Sequence, residues 1–282
     1  MITKTEITYV GCFLTLECNL NCAYCINNFH DGPLPRYELM DGKSWVKAIN
    51  MLELRDDLPV TLQGGEPSLH PDFIWILNNI RTETHIDILT NLTFDISRFI
   101  SSVDPRRLNR QAPYASIRVS YHPKKTSFEE LSKKVLRLTD AGFNVGIYGI
   151  LYPEDEQEIL EVKNKCADTG LDFRTKEFLG KHNGKLYGTY KYPQALSGKK
   201  GKPCMCTTSE LLIAPDGSIR RCHHDLYNKT GAAGNILDED FAFESEYMSC
   251  DNFGSCNPCD VKVKTDRFQV HGYTAVNIKT DD

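Results

Sequence analysis

From residue 7 to about 180, short runs of β-branched and apolar residues alternate with segments of helical period. The runs ITYVGCFLTL (7–16), VTLQG (60–64), HIDILT (85–90), SIRVSY (116–121), NVGIYGILY (144–152) and LDFRTKEFL (171–179) predict six strands. Between them, Trp45, Ala48, Ile49 and Leu52 share one helical face, as do Ile96, Phe99, Ile100 and Val103. The clearest helix starts at Ser127, whose hydroxyl can cap the first turn, with Glu130 completing a capping box. Phe128, Leu131, Val135 and Leu138 form its apolar stripe, and Gly142 is placed to end it. A further helix follows Pro153, opens on Glu154, Asp155 and Glu156, and ends at Gly170. This alternation predicts an α/β fold of parallel strands joined by crossovers, as an open sheet or a partial (β/α)6 TIM-like barrel. In either, a site belongs at the C-terminal ends of the strands.

The pattern changes after Gly180. The stretch KHNGKLYGTYKYPQALSGKKGKP reads as a connector, and LLIAPDGSIRRC (211–222) as a hairpin turning at Pro-Asp-Gly. Most of the remaining chain is irregular and dense in cysteine. Two domains are therefore expected, 1–180 and 181–282.

Composition narrows the function classes. The net charge of −5 over 282 residues offers no global field for nucleic acid or an anionic membrane. No apolar run reaches the roughly 18 residues a membrane span needs. The N-terminal MITKTEITYV lacks the apolar core and cleavage site of a signal peptide, so a cytoplasmic location is expected. There, eleven cysteines argue for metal or redox chemistry rather than disulfides. Four lie near the start (Cys12, Cys18, Cys22, Cys25) and six in the last third (Cys204, Cys206, Cys222, Cys250, Cys256, Cys259). Cys12 and the isolated Cys166 suit buried small hydrophobes.

Cys18, Cys22 and Cys25 fall in one eight-residue loop, CNLNCAYC, directly after the first predicted strand. Three thiolates so placed can hold three irons of a [4Fe–4S] cubane with the fourth iron open, or three of the four positions on zinc. The second strand ends in Gly64, Gly65, Glu66 and Pro67. The two glycines permit close approach of backbone to a ligand, and Glu66 can accept hydrogen bonds from an ammonium group.

CxxxCxxC after the first strand and GGEP after the second resemble the radical S-adenosylmethionine (SAM) superfamily over about residues 7–180. The resemblance implies that Cys18, Cys22 and Cys25 ligate a [4Fe–4S] cluster and that SAM chelates its open iron. It further implies reductive cleavage of SAM to a 5′-deoxyadenosyl radical that takes hydrogen from a substrate, with an electron donor such as flavodoxin or ferredoxin. Tyr24 is then expected against the adenine, Gly64, Gly65 and Glu66 at the methionyl amine, and Ser120 at the ribose or carboxylate. Ile147 and Gly149 are expected at the adenine by a looser match of VGIYGI.

The second cysteine set resembles the twitch and SPASM extensions of the same superfamily, which bind auxiliary iron–sulfur clusters. A C-x-C pair leads to Gly217 and, four residues on, Cys222; Gly-Asn-Ile follows at 234–236, and Cys256 and Cys259 form a C-x-x-C pair. Six cysteines favour one auxiliary cluster, twitch-like, with Cys222, Cys256 and Cys259 as ligands and Cys204 preferred over Cys206 as the fourth. A four-cysteine zinc knuckle is the alternative. Cys250 has three readings: cluster ligand, inert packing, or catalytic donor of a hydrogen atom to a substrate radical. An enzyme is expected over an electron carrier or zinc scaffold, because an open iron is a reaction centre. The favoured reading is oxidation or epimerisation of a small polar, sugar- or aminocyclitol-like substrate. The alternatives are modification of a ribosomally made peptide or of a tRNA nucleoside.

Overall fold

The protein is described by a computed structural model covering residues 7–30, 32–201, 203–239, 241–243, 245–265 and 270–280. Residues 1–6, on which part of the signal-peptide expectation rests, lie outside the described residues.

All six expected strands form: β1 (Tyr9–Thr15), β2 (Val60–Gly64), β3 (Ile86–Thr90), β4 (Ile117–Tyr121), β5 (Val145–Leu151) and β6 (Phe173–Glu177). They pair in parallel and in chain order. The intervening helices are α1 (Gly42–Met51), α2 (Phe73–Asn79), α3 (Ile96–Ser102), α4 (Phe128–Asp140) and α5 (Glu156–Thr169). This is an α/β fold built on a parallel sheet of six strands.

The period-two pattern of each strand sends alternate residues to the helices. Val10, Cys12 and Leu14 of β1, Val60 and Leu62 of β2, Ile86 and Ile88 of β3, and Ile117 and Val119 of β4 pack with Trp45, Ile76, Phe99 and Leu138 in one apolar core. Cys12 and Cys166 are fully buried in it, as expected of small hydrophobes. The α4 cap is as the sequence predicts: Ser127 Oγ accepts from the Glu130 N–H, and Leu131, Val135 and Leu138 are buried. Gly170 ends α5 in the left-handed conformation, φ 73°.

The C-terminal third departs from expectation. The stretch expected as a connector holds a hairpin, β7 (Gly180–His182) and β8 (Lys185–Tyr187), turning on Asn183 and Gly184 at φ 48° and 77°. Asn-Gly with both residues at positive φ is the turn whose twist matches paired strands. Next come β9 (Cys204–Thr208), β10 (Glu210–Ile213), β11 (Ser218–Arg220), α6 (His223–Asn228), β12 (Ala232–Asn235), β13 (Met248–Cys250), α7 (Pro258–Val261), β14 (Lys264–Thr265), β15 (His271–Tyr273) and β16 (Val276–Lys279). The Pro-Asp-Gly hairpin forms between β10 and β11, with Gly217 at φ 79°.

That hairpin does not stand apart. β10 runs parallel to β1, with Tyr9 opposite Glu210 and Cys12 opposite Ile213, so a nine-stranded sheet runs in the order β12-β11-β10-β1-β2-β3-β4-β5-β6. Phe13, on the sheet face opposite the main core, packs with Leu212, Leu226 and Tyr227, which seats α6 over β1. A separate antiparallel sheet, β13-β9-β16, carries three of the C-terminal cysteines.

Candidate functional site

The loop of Cys18, Cys22 and Cys25 leaves β1 at its C-terminal end, beside the end of β2. Two backbone hydrogen bonds join these ends: Gly65 N donates to Thr15 O and Glu66 N to Glu17 O, both at 2.8 Å. A Cβ on Gly64 would lie 1.9 Å from Thr15 O, and one on Gly65 2.1 Å from Glu17 O. The glycine pair is therefore required by close packing against the backbone that leads into the cysteine loop, a demand that exists before any ligand arrives.

Glu66 is buried, 1 % exposed. Its Oε1 accepts from Ser68 N–H, the Ser68 hydroxyl and the Thr90 hydroxyl, at 3.2, 2.7 and 2.8 Å, and its Oε2 accepts from Asn91 N–H at 2.7 Å. Burial still pushes its carboxyl above the ordinary glutamate value, against the pull of those donors. Asn91 reaches on to the cysteine loop, donating to Asn19 Oδ1 at 2.9 Å and approaching Cys18 Sγ at 3.9 Å. Cys22 Sγ lies 3.3 Å from His122 Nδ1, and that nitrogen lies 3.0 Å from the Tyr24 hydroxyl. The Tyr24 and His122 rings stack at 5.9 Å, and Tyr24 also meets Tyr152 at 5.1 Å. Burial pushes the His122 imidazole down to about 4.

Thr90, Asn91 and His122 were not among the expected site residues. Their signal was available: each sits at or just past the C-terminal end of β3 or β4, where this fold class keeps its chemistry.

The three thiols fit a cationic cluster. Burial raises all three; the Cys22 thiol goes up to about 11, with Cys25 and Cys18 pushing it further. Three thiolates on one short loop repel one another, and a shared positive centre would relieve that repulsion. Ser120 lies half-buried on the sheet face opposite Tyr121, whose hydroxyl instead bonds Glu158 on the helix side. Ile147 belongs to the core between sheet and helices, and a Cβ on Gly149 would meet Ile159 of α5 at 2.8 Å. These two therefore face the helical layer, away from the face that carries Ser120.

The second cysteine group gathers around β9. Antiparallel pairing puts Cys250 of β13 opposite Cys204, and the thiols of Cys204, Cys206 and Cys250 lie within 4.8 Å of one another. A cavity of about 40 Å³ beside them is lined by Cys206, Cys222, Cys250 and Cys256, together with Arg221 and His224. Cys222 is the N-cap of α6, its Sγ accepting from Asp225 N–H at 3.4 Å. Asp260 holds the same turn: Oδ1 accepts from His223 N–H at 2.9 Å and meets His223 Nδ1 at 2.7 Å, while Oδ2 accepts from His224 N–H at 3.2 Å. Cys250 is held below the ordinary thiol value, chiefly by its hydrogen bond with Cys206. A larger polar cavity of about 380 Å³ adjoins, sharing Arg221, His224, Asp225 and Asn252. Cys259, expected as a ligand together with Cys222 and Cys256, is not among the residues that line the cysteine cavity.

The two cysteine groups are bridged. Asn257, between Cys256 and Cys259, donates from Nδ2 to the carbonyl of Ile26, the residue after Cys25, at 3.3 Å.

Comparison with known proteins agrees with this geometry. The family model of the Radical SAM superfamily matches residues 13–166. GTP 3',8-cyclase of Clostridium perfringens (strain 13 / Type A) is 23% identical over 274 residues, covering 79% of this chain and 82% of that protein. The antilisterial bacteriocin subtilosin biosynthesis protein AlbA of Bacillus subtilis (strain 168) is 22% identical over 268 residues, covering 84% of this chain and 58% of that one. Among solved structures, native anSMEcpe with bound AdoMet and Kp18Cys peptide superposes with a TM-score of 0.55 at 18% identity, over 82% of this chain and 78% of that chain.

Proposed function

The chain belongs to the radical SAM superfamily, and from that premise we propose that it is an oxidising radical enzyme whose C-terminal cysteine cluster serves the same reaction centre as Cys18, Cys22 and Cys25. The family's cofactors are a [4Fe–4S] cluster and SAM, and the C-terminal cysteines support an auxiliary cluster. When bound, these supply a 5′-deoxyadenosyl radical that removes a hydrogen atom from a substrate carbon. A two-electron oxidation would require the substrate radical to lose one further electron, which an auxiliary cluster held by the C-terminal cysteines could accept, and one proton. A flavodoxin- or ferredoxin-type donor supplies the electron for SAM cleavage.

The chain's own residues divide the work. Cys18, Cys22 and Cys25 hold the first cluster. Glu66, fixed by Thr90 and Asn91, presents the remaining lone pair of Oε2 to the methionyl ammonium. Gly64 and Gly65 lock the strand end that carries Glu66 to the cysteine loop. Tyr24, stacked with His122, offers an aromatic face to the adenine. Ser120 contributes a hydroxyl from the sheet face opposite the helices. Ile147 and Gly149 carry no part of this proposal.

The observation that carries the reading is the bridge from Asn257 to Ile26, reinforced by β10 pairing with β1. Both cysteine groups thereby belong to one framework, as intramolecular electron transfer requires.

Two substrate classes are compatible with this reading, each with its own support. The polar cavity of about 380 Å³, bearing Lys200, Arg221, His224 and Asp251, suits a small polar molecule. The likeness to AlbA and to a peptide-bound structure supports a peptide side chain. Incubating the reduced, reconstituted enzyme with SAM and candidates deuterated at the reacting carbon separates them. Label entering 5′-deoxyadenosine from a sugar or aminocyclitol selects the first class, and label from a co-encoded peptide the second. Absence of any 5′-deoxyadenosine overturns the enzyme assignment itself.

A further inference from the structure

We infer that the auxiliary cluster is held by Cys206, Cys222, Cys250 and Cys256, with Cys204 and Cys259 outside its coordination sphere; this rests on the auxiliary-cluster reading above. It differs at two positions from the set that the sequence pattern suggests.

The cavity is the first ground. Among the described residues its wall carries four thiols, those named, contributed by β9, the start of α6, β13 and the loop before α7. A cubane takes four thiolates. Cys204 is not among the lining residues: it is 4 % exposed, and although its sulfur lies within 4.8 Å of those of Cys206 and Cys250, it approaches the Cys250 carbonyl at 3.6 Å.

The register of β9 and β13 is the second ground. Cys204 lies directly opposite Cys250, whereas Cys206 is opposite Met248 and so diagonal to Cys250. Directly opposed residues stand about 4.5–5.5 Å apart and diagonal ones about 7–8 Å. Thiolates on different irons of one cubane must be spread around it, so the diagonal pair, Cys206 and Cys250, spans the cluster where the opposed pair crowds it. Cys204, 3.5 Å from the Cys206 sulfur, is then a hydrogen-bonding neighbour of a ligand rather than a ligand.

The third ground is the orientation of the C-x-x-C loop. Asn257 caps α7 by accepting from Cys259 N–H at 2.9 Å, which fixes Cys259 in the first turn, and Cys259 is not among the residues that line the cavity. Cys256, before the cap, remains with the cavity, its Sγ 3.9 Å from Asn252 O.

One consequence bears on chemistry: a ligating Cys250 cannot act as donor of a hydrogen atom to a substrate radical.

The test uses the full chain with Cys18, Cys22 and Cys25 replaced by Ala, so that only auxiliary iron remains, about four atoms per chain after anaerobic reconstitution. In that background Cys250→Ala and Cys206→Ala are each expected to abolish or sharply reduce bound iron and its visible absorption. Cys204→Ala and Cys259→Ala are expected to retain it. Cys250→Ser guards against misfolding: an alkoxide ligand keeps iron but alters the electron paramagnetic resonance spectrum of the reduced cluster, which loss of a mere packing residue leaves unchanged. Retention of iron by Cys250→Ala with loss in Cys259→Ala overturns the assignment in favour of Cys259. An iron-free background that binds zinc overturns the auxiliary-cluster reading beneath it, and an unchanged first-site spectrum in the native chain distinguishes that failure from general unfolding.

Discussion

Glu66 shows how much a single side chain depends on its neighbours. Four donors fix its carboxylate, three on Oε1 and one on Oε2, leaving Oε2 the better placed for a further cation. In Glu66→Gln the amide oxygen can serve only one side, so its NH2 group must oppose a donor, most simply the Asn91 N–H. We expect SAM affinity to fall about tenfold or more in an equilibrium titration, with iron content unchanged, since an amide NH2 then stands where a carboxylate oxygen accepted from the ammonium. Gly65 has the opposite character: no side chain, and no room for one. Gly65→Ala drives a methyl into Glu17 O and is expected to displace the cysteine loop, halving total iron from about eight to about four per chain. Full iron retention in that variant, measured against protein by quantitative amino-acid analysis, would show the loop to be more pliant than this packing implies.

The elements of the first 180 residues follow local rules, and their energetics should as well. Ser127 caps α4 with its hydroxyl, and Ser127→Ala is expected to cost about 1 kcal/mol of stability in a urea titration while leaving both iron sites loaded. The elements that carry the auxiliary site are much shorter: β13 has three residues, α6 six and α7 four. Segments of that length have no detectable period, and they exist because neighbours hold them. Asp260 supports α6 from α7, accepting the N–H groups of His223 and His224. Asn183 and Gly184 are the exception, a short turn signal sufficient to predict the β7–β8 hairpin within a stretch whose composition alone suggests a connector.

In the whole molecule the two expected regions share one sheet. β10 supplies β1 with a hydrogen-bonded neighbour, and Phe13 of β1 is buried against Leu212 of β10 and Tyr227 of α6. Phe13→Ala is accordingly expected to cost about 3–5 kcal/mol, the range for truncating a buried aromatic. Calorimetry should show a single endotherm for the parent protein, displaced to lower temperature as one unit in the variant. Two separable transitions would mean that residues beyond 180 fold independently, as the composition break alone suggests.

The six parallel strands, their helices, the cysteine loop and the glycine strand end were legible in the sequence, because each is written in short-range periodicity, spacing and turn chemistry. So was the presence of a second metal site, in the clustering of cysteines after residue 203. Three things were decided only in three dimensions. The attachment of β10 to β1 joins residues some two hundred positions apart, and no local pattern encodes which open strand edge a hairpin will find. The clamp on Glu66 by Thr90 and Asn91 and the contact of Cys22 with His122 arise because parallel strands bring successive C-terminal ends side by side. The grouping of Cys206 and Cys250 around one cavity, with Cys259 turned elsewhere, depends on the register of β9 against β13 and on the cap of α7. Sequence spacing counts residues along the chain, whereas ligation depends on where each sulfur points once strands have paired.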